Sequence, residues 1–569
     1  MISRVYITPK GKDSRETLYK ESFNKLDIKG HVSHVALADS YTLNMNISVD
    51  ALARVALALT NPTIETSSVN TLPPVGDFSF ICEIGYMPGV TDNVAHTAEE
   101  QIADLLHHKW KGDEAVYTSK LFFVSGKLSE EDMKTIALSL HNPLIERYSI
   151  ISARKLAGKN TIPTVIPNVI LPKKIPVIKV SLAVPDEELI KIGKEGVLDP
   201  DGSRRGPLAL DLASMKIIQE YFKKLKREPT DIELESLAQT WSEHCKHTIF
   251  ANSIDDIKDG LYKTYIKGAT NRIRKEKGKA DFCISVFSDN AGGIVFDKDY
   301  MVTHKVETHN SPSALDPFGG AITGIVGVNR DTIGFGLGAK PVANTYGFCF
   351  GYPDDTRPLF RDKAQMQKML PPKRIIDGVI KGVNVGGNCS GIPTVSGFVR
   401  YDERFRAKPL VFVGTVGLMP RKINGKLSHI KSAKSGDYVV VIGGKVGADG
   451  IHGATFSSVV MDSSSPATAV QIGDPITQKK LSDAIVKEAR AKNLYTSITD
   501  NGAGGISCSV AEMAKECGGC IVDIEKVPLK YPGLTPWQIW ISESQERMTL
   551  SVPKDKWNEF KKLMDKRGV

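Results

Sequence analysis

The 569-residue sequence has no run of eighteen apolar residues, so no segment fits a helix that crosses a membrane. The N-terminal stretch MISRVYITPKGKDSRETLYK contains no apolar core of a signal peptide. Only eight cysteines occur, scattered singly apart from Cys517 and Cys520, which have no second pair at zinc spacing. These absences predict a cytoplasmic protein with free thiols and no membrane partner.

A charge stripe of one sign is also missing. The net charge of +9 comes from 74 Lys and Arg residues interspersed with 65 Asp and Glu residues. The densest basic run, Asn271–Asp281, is typical of a solvated loop. This balance suits small anionic ligands and predicts no nucleic-acid partner.

The length and the 41% hydrophobic content predict several domains, of mixed α+β and α/β class. Residues 1–155 contain a diverged duplication, because YITPKGK from Tyr6 and YMPGVTD from Tyr86 each lead to an Asn-Pro phrase, about eighty residues apart. Each copy predicts a strand, an amphipathic helix, a strand and a short helix. We interpret this α+β module as a docking or dimerisation surface.

The rest of the chain divides into three predicted segments. Residues 156–250 read as a proline-rich extended connector followed by linker helices, one of which starts at a capping box of Thr230 and Glu233. Residues 251–430 are β-rich, and residues 431–569 alternate in the α/β manner.

The stretch HKVETHNSPSALDPFGGAITGIVGVNRD, His304–Asp331, concentrates ionisable residues. Because side chains alternate along a strand, Lys305, Glu307 and His309 share one face. A cation, a carboxylate and an imidazole suit a phosphorylated substrate with Mg²⁺, since lysine neutralises phosphate, glutamate binds the metal and histidine moves a proton. The competing interpretation is a polar edge strand.

A glycine pattern follows that stretch. Gly320, Thr323, Gly324 and Gly327 recur at helical spacing and predict a helix with a bare face, which ends in Arg330 and Asp331. Tight helix packing would explain the glycines equally well. Three more clusters repeat the theme: the loop Gly443–Ser458, the segment Gly386–Phe405, expected to be a flexible loop that closes over a ligand, and Asp500 at a strand end before glycines.

Taken together, these motifs resemble the phosphoribosylformylglycinamidine synthase family. The resemblance rests on WSEHCKH, the His304–Asp331 stretch, GADGIHGATFSS, VQIGDPITQ, TDNGAGGISCSVAEMA and SESQERM, and it runs from about residue 185 to the C-terminus. It implies the aminoimidazole ribonucleotide synthase superfamily, with an N-terminal domain (251–430) built on a four-stranded sheet and an α/β C-terminal domain (431–569) that would need one more strand. Residues 1–155 resemble a small accessory subunit of that system, duplicated and fused.

The resemblance also implies a role for individual residues. It implies His244 and His309 as catalytic groups; Thr308, Asn310, Ser311, Arg330, Gln471, Glu543, Ser544 and Gln545 as substrate contacts; Lys305 and His247 as ATP contacts; and Glu307, Asp331 and Asp500 as Mg²⁺ ligands. Short family members carry a second histidine where Ser311 stands and a tyrosine where His247 stands. The contacts of these two positions therefore depart from the family pattern.

The implied reaction is the ATP-dependent amidation of formylglycinamide ribonucleotide in purine biosynthesis, with ammonia from glutamine. The chain would be the first synthetase half, inactive alone, with a second half and a glutaminase as partners, or a homodimer through residues 280–420 that imitates the missing half. Two alternatives stay open: another ATP-dependent superfamily member of the aminoimidazole ribonucleotide synthase type, and a non-catalytic structural partner that binds nucleotide.

Overall fold

The computed structural model describes residues 2–156, 158–169, 176–453, 456 and 472–569, with no account of the side chains of Cys245 and Lys246. The chain forms two compact units, Met1–Ile170 and Leu171–Val569. The boundary between the units falls within the range predicted to contain the connector, residues 156–250. Across the described residues, no helix combines the length and the apolarity that crossing a membrane requires.

The first unit is one six-stranded antiparallel sheet with helices. In sheet order the strands are Glu65–Val69, Ile2–Pro9, His31–Asn44, Ala115–Lys127, Phe80–Tyr86 and Glu146–Ser152. The helices are Ser14–Phe23, Val49–Leu59, Asn93–Leu106, Glu130–Leu140 and Ala153–Leu156. The order strand, helix, strand, helix, strand occurs twice, so the predicted copies each lacked a third strand, which follows the Asn-Pro phrase.

Both faces of this sheet are covered. On one face, Leu52 and Val55 of one helix and Ile102 of another pack against Val5. On the other face, Ile162 of the proline-rich segment is buried with strand residues. The segment after residue 156 is thus part of the first unit, because its apolar side chain completes that core.

The second unit begins with the predicted linker helices, Asp186–Glu195, Leu212–Lys224 and Asp231–Trp241. Thr230 and Glu233 form the predicted capping box at the start of the third helix. Leu189, Met215 and Leu234 share the apolar core of the three helices. Short helices follow at Glu243–Lys246 and Thr248–Ala251, then a π-helical turn Tyr262–Lys267, the helix Gly268–Lys277 and a 3₁₀ turn Gly278–Ala280.

The next layer is a six-stranded sheet, so the predicted four-stranded sheet was wrong. In sheet order the strands are Thr394–Tyr401, Lys340–Phe350, Leu410–Pro420, Tyr300–Thr308, Gly292–Val295 and Cys283–Ser285. Four are long, and the two short ones extend the sheet past Tyr300–Thr308, which we call the cleft strand. The first two strands pair in parallel and the others antiparallel.

Helices cover one face of this sheet: Asn310–Leu315, Pro317–Gly334 and Pro372–Ser390. We call Pro317–Gly334 the cleft helix; its Ala321, Ile325 and Val328 pack against the sheet. The segment Gly386–Phe405 is not the predicted flexible loop. It is the end of a helix, the edge strand Thr394–Tyr401 and the 3₁₀ turn Glu403–Phe405, because the glycines of the helix do not prevent Ile375 and Val379 from packing.

The last part is a smaller α/β layer, joined through the hairpin Lys422–Ile423 and Lys426–Leu427. Its antiparallel sheet has the order Tyr438–Gly443, Arg547–Val552, Ser497–Asp500. Its helices are Pro475–Asp483, continued by the π-helical turn Ala484–Ala489, then Gly505–Cys517, Pro536–Ile541 and Trp557–Arg567, with a 3₁₀ turn Ile524–Lys526. Asp500 ends its strand, as predicted.

Candidate functional site

A cleft of about 400 Å³ opens beside the cleft strand and the cleft helix in the second unit. The predicted site residues that line it are His244, His247, Lys305, Glu307, Thr308, His309, Asn310, Ser311, Arg330, Asp331, Asp500, Glu543 and Gln545. They come from the cleft strand and the segment after it, from the cleft helix, and from the short helix that follows the linker helices. The others lie at the end of the strand Ser497–Asp500 and just before the strand Arg547–Val552. Gln471 lies outside the described residues.

Lys305 lies among the carboxylates of the cleft. Its Nζ is 3.2 Å from Asp331 Oδ2 and 3.9 Å from Glu307 Oε2. Burial lowers the pKa of Lys305, but the attraction of Asp331 and Glu307 outweighs it, and the net pKa is raised. The lysine is therefore charged at neutral pH and faces the cavity, where it can neutralise a phosphate.

Asp331 and Asp500 share one amide neighbour. Asn290 Nδ2 donates to Asp500 Oδ1 at 2.9 Å and to Asp331 Oδ1 at 3.3 Å. Burial, and then the charge of Asp500, raise the pKa of Asp331 to about 7, although Lys305 opposes the shift. Two buried carboxylates that bind the same amide group repel each other, so a cation between them would stabilise the pair.

The donor set fits Mg²⁺ only in part. Carboxylate oxygens are the ligands that Mg²⁺ prefers, and it is commonly held by one or two carboxylates together with substrate phosphates. Among the described residues, no three His, Cys, Asp or Glu side chains are grouped closely enough to hold an ion by themselves. Asp331 and Asp500, which share the Asn290 amide, therefore fit a magnesium ion only if water and phosphate oxygens supply its remaining ligands, and the described residues do not group Glu307 with them as a third ligand.

Arg330 is a second cation of the site and is almost fully buried. Its Nε is 3.9 Å from Asp500 Oδ2 and has no hydrogen-bond partner among the described residues. Its Nη1 donates to Gln478 Oε1 at 3.4 Å. A buried guanidinium with an unused N–H at a cavity wall is suited to bind an anionic or carbonyl group of a ligand.

His309 follows the cleft strand and is held by its backbone. Its N–H donates to Val411 O at 2.9 Å, and Asn310 Oδ1 accepts from Val411 N at 2.8 Å. Burial lowers the pKa of His309 to about 4, and its Nδ1 has no hydrogen-bond partner among the described residues. The imidazole is therefore neutral at pH 7 and free to accept a proton.

Two glycines of the cleft helix allow this packing. A Cβ at Gly324 would be 3.1 Å from His309 Cβ, and a Cβ at Gly320 would be 2.5 Å from Ser313 N. The bare helix face predicted from the glycine spacing thus brings the turn after the cleft strand close to the helix. Ser311, on that turn, is buried, and its hydroxyl has no hydrogen-bond partner in the described part of the chain.

His244, in the short helix Glu243–Lys246, and His247, which follows that helix in a left-handed backbone conformation, line the cleft. The carboxylate of Glu243 accepts from Thr248 N at 2.9 Å and from Ile249 N at 3.0 Å, which fixes the turn. Burial lowers the pKa of His244, while the nearby charge of Glu307 opposes the shift.

The segment Glu543–Gln545 is only partly placed as the resemblance implies. Glu543 and Gln545 line the cleft, and Glu543 Oε1 accepts from Gly504 N at 3.1 Å. Ser544 does not line it: its hydroxyl donates to Asp449 Oδ2 at 2.6 Å. The side chain of Ser544 is buried against Asp449, and its implied substrate contact stays a prediction.

Sequence reasoning missed three residues of the site. Lys408 lines the cleft, and Asn290 and Lys431 lie behind its carboxylates. Lys408 precedes the strand Leu410–Pro420, and a basic residue at a strand end was the only available signal for it. No local signal exists for Asn290 or Lys431, whose contacts with the site join positions far apart in the sequence.

Comparisons with known proteins match three ranges of the second unit. Residues 288–419 match the model of the "AIR synthase related protein, N-terminal domain", and residues 434–569 match the corresponding C-terminal domain. Residues 201–247 match the "Formylglycinamide ribonucleotide amidotransferase linker domain". The matched ranges contain all the cleft residues predicted from the sequence.

Among curated proteins, the chain is similar to the phosphoribosylformylglycinamidine synthase subunit PurL of Thermoplasma volcanium, 35% identical over 370 residues, and of Picrophilus torridus, 37% identical over 366. Each alignment covers 64% of this chain but 44% and 45% of the relative, so the chain spans about half the length of the curated relatives it matches. A structure described as T. maritima PurL complexed with FGAR aligns at 31% identity and a TM-score of 0.49, covering 62% of this chain and 50% of that one.

Proposed function

We propose, because this chain belongs to the AIR synthase related family and is similar to PurL subunits, that it is the first synthetase half of a ligase acting in purine biosynthesis in the cytoplasm. The reaction is the ATP-dependent conversion of formylglycinamide ribonucleotide to formylglycinamidine ribonucleotide. The observation that carries the proposal is the single cleft in which Lys305, the carboxylates Asp331 and Asp500, and a neutral His309 meet.

Two observations favour this function over the alternatives. The match of residues 201–247 to a formylglycinamide ribonucleotide amidotransferase linker supports it over an enzyme of the aminoimidazole ribonucleotide synthase type. Glu307, Asp331 and Asp500, three of the four acidic residues that line the cleft, support it over a non-catalytic partner, since a structural site gains nothing from carboxylates that repel each other.

The chemical problem is that an amide oxygen is a poor leaving group. In the proposed reaction, this oxygen attacks the γ-phosphorus of ATP, ADP leaves, and the amide nitrogen loses its proton to give an iminophosphate. Ammonia then adds to the carbon of the former amide, and phosphate departs with the oxygen that this carbon carried. Little covalent chemistry falls to the protein, so catalysis consists of neutralising charge and positioning the reactants.

The residues of the cleft divide these tasks. Lys305 neutralises the transferred phosphate, and Arg330 binds the substrate with help from Thr308, Asn310 and Ser311 on one wall and Glu543 and Gln545 on another. Glu307, Asp331 and Asp500 would hold Mg²⁺, which when bound neutralises phosphate charge. His309 takes the amide proton at Nδ1 or at its other ring nitrogen, because it is neutral before the step.

His244, in the short helix, and His247, directly after it, have separate proposed roles. His244 lies near Glu307, within the range of its charge, and assists the proton transfer as a second catalytic group. His247 lines the cleft and contacts ATP in place of an aromatic ring. Gln471 is retained as a substrate contact by resemblance alone.

We assign the partners from exposed apolar surface. Five apolar side chains are 40–67% exposed on or beside the strands at one end of the six-stranded sheet of the second unit: Phe282, Phe287, Ile294, Phe296 and Val306. A patch of this kind is buried on association. It fits either a second synthetase half or a second copy of this chain through residues 280–420, and a glutaminase would supply the ammonia. A monodisperse monomer by light scattering, with no shift when a second-half chain is added, would show that this surface has another role.

The proposal is tested with the whole chain. Calorimetric titration of formylglycinamide ribonucleotide, and assays with ATP, Mg²⁺, ammonium and a complementing second-half chain, separate binding from turnover. His309→Ala should bind the ribonucleotide as the wild type does but lose turnover by about 10²–10⁴-fold, the range of general-base catalysis. Asn388→Ala, on an exposed helix surface, is the matched control. Failure of the wild type to bind the ribonucleotide, or normal turnover by His309→Ala, would contradict the proposal.

A further inference from the structure

Behind the cleft carboxylates lies a polar cluster that has no part in the proposed chemistry. It consists of Asn290 and Lys431. Asn290 lies in the loop before the strand Gly292–Val295, and Lys431 lies in the chain segment between the hairpin strand Lys426–Leu427 and the strand Tyr438–Gly443. Neither side chain lines the cavity. They nevertheless contact the segments that carry Asp331 and Asp500.

The orientation of the Asn290 amide is fixed from its oxygen side. Lys431 Nζ is 3.3 Å from Asn290 Oδ1, and Thr499 Oγ1 donates to the same oxygen at 3.4 Å. Since the Lys431 ammonium can only donate, the Asn290 oxygen faces it and the Nδ2 group faces the carboxylates. Asn290 therefore presents two N–H donors, one for Asp331 Oδ1 and one for Asp500 Oδ1.

Lys431 in turn holds three segments together. Its Nζ is 2.7 Å from Asp289 Oδ1, and it donates to Gly334 O at 2.6 Å and to Ile498 O at 2.8 Å. Gly334 closes the helix that carries Asp331, and Ile498 precedes Asp500 on the same strand. The lysine side chain is only 14% exposed, so these contacts are shielded from water.

The second oxygen of each carboxylate faces a cation of the cleft. Asp331 Oδ2 lies 3.2 Å from Lys305 Nζ, and Asp500 Oδ2 lies 3.9 Å from Arg330 Nε. Each carboxylate thus has one oxygen bound to Asn290 and the other directed to the side where a phosphate and its metal ion would enter. Free rotation of either carboxyl would lose this arrangement.

We infer that Asn290 and Lys431 are positioning residues that orient Asp331 and Asp500 to bind a divalent cation. This inference rests on the proposed function, which places the ion there. Groups that hydrogen-bond a metal ligand fix its direction, and their loss typically weakens metal binding by ten- to a hundredfold. A purely structural cluster would instead change the stability of the chain and leave the affinity for the ion unaltered.

The test measures Mn²⁺ as a paramagnetic probe. Binding of Mn²⁺ to the whole chain is followed by electron paramagnetic resonance, with and without a non-hydrolysable ATP analogue, and melting is recorded without metal. Asn290→Ala should weaken Mn²⁺ binding about ten- to a hundredfold. Asn290→Ser, which keeps one small donor, should fall between Asn290→Ala and the wild type. Asn388→Ala, whose exposed side chain donates to Asn384 Oδ1 at 3.3 Å, should bind as the wild type does.

Lys431→Met provides the second arm. It should weaken Mn²⁺ binding to a similar extent and also lower the melting temperature, because Lys431 has backbone contacts that Asn290 lacks. Equal Mn²⁺ affinity in the wild type and Asn290→Ala would overturn the inference while leaving the proposed function intact. Mn²⁺ binding that depends on Asn290 but is unaffected by the ATP analogue would support the inference and contradict the proposed function. A wild type that binds no Mn²⁺ at millimolar concentration would overturn both.

Discussion

Each unit of this chain contains a cluster of buried charge, and the two clusters differ in what surrounds them. In the first unit, Arg4 and Glu83 form an ion pair whose side chains are 5% and 3% exposed, and Ser40 and Ser119 complete it. In the second unit, Lys305 meets Asp331 beside a cavity of about 400 Å³. One cluster is filled by protein groups, and the other leaves space.

The difference separates a structural ion pair from a ligand site. Glu83 Oε1 accepts from both Arg4 and Ser119, so protein groups satisfy this carboxylate, and only Nη1 of Arg4 lacks a hydrogen-bond partner among the described residues of the pair. In the cleft, His309 Nδ1, Ser311 Oγ and Arg330 Nε are buried without hydrogen-bond partners in the described part of the chain. Buried polar atoms without partners are costly, and at a cavity wall a ligand can supply the partner.

The largest effect on the free energy of unfolding should come from the buried pair of Arg4 and Glu83, which we call the closed cluster. Glu83→Ala leaves the Arg4 guanidinium buried without its counter-charge, which typically costs about 3–5 kcal/mol of unfolding free energy. Urea denaturation followed by circular dichroism would measure it. Glu130→Gln, which breaks the exposed pair of Glu130 with Lys155 (3.2 Å), is the matched control and should cost less than about 1 kcal/mol. A Glu83→Ala variant as stable as the control would show that the buried pair contributes nothing.

The free energy of unfolding should depend on pH through Glu546, a buried carboxyl without a full ion pair. Burial raises the pKa of Glu546 from 4.5 to about 7, although Lys530 opposes the shift. The folded chain then binds more protons than the unfolded chain between these values, so the unfolding free energy falls as pH rises from about 4.5 to 7. The slope is at most about 1.4 kcal/mol per pH unit for one group.

Glu546→Gln removes this titration. The variant should gain stability relative to the wild type as pH rises through that window, with a constant difference above it, because the amide oxygen can still accept from Asp474 N, which lies 2.9 Å from Glu546 Oε2. Melting temperatures from pH 4.5 to 8 would measure the difference. Glu559→Gln, at an exposed pair, should run parallel to the wild type. Parallel curves for both variants would show that Glu546 does not titrate in this range.

How much of this could be read from the sequence depends on the range of the interaction. The cleft strand and the cleft helix were predictable because alternation and glycine spacing are local patterns. The capping box of Thr230 and Glu233 is equally local and is confirmed. The strands Glu65–Val69 and Glu146–Ser152 were missed because they lie at the edges of the sheet, are mostly half-buried and lack an apolar alternation.

The site divides in the same way. Lys305 and Glu307 lie on one strand, and Arg330 and Asp331 are neighbours near the end of one helix, which continues to Gly334, so the sequence shows each pair. Asn290 contacts Asp500 across 210 positions, and Lys431 contacts Asn290 across 141. No propensity or spacing rule reaches so far, and these contacts emerge only when two sheets are folded together.

Within the cleft, Lys305 should dominate phosphate binding. Lys305→Met removes the charge that neutralises Asp331 and faces the cavity, and charge-assisted hydrogen bonds contribute about 1.5–3 kcal/mol. A nucleotide triphosphate analogue with Mg²⁺ should therefore bind about ten- to a hundredfold more weakly by calorimetry. Lys305→Arg should retain part of the affinity. Unchanged binding by Lys305→Met would place the phosphates elsewhere and break the comparison with the closed cluster.

The smallest effect should come from Lys408, the cation of the cleft that no carboxylate neutralises. No ion pair joins it to any described residue, and it lies three residues before Val411, which bonds Asn310. Because the side chain is exposed, water screens its charge, and its loss should cost less than about 1 kcal/mol. Lys408→Ala should bind formylglycinamide ribonucleotide about two- to fivefold more weakly at low salt. The difference should vanish near 0.5 M salt, where the screening length falls below about 5 Å. Lys426→Ala, on the exposed hairpin, should bind as the wild type does at every salt concentration. A loss that persists at high salt would mean that Lys408 is enclosed with the ligand, and that the cleft closes on binding.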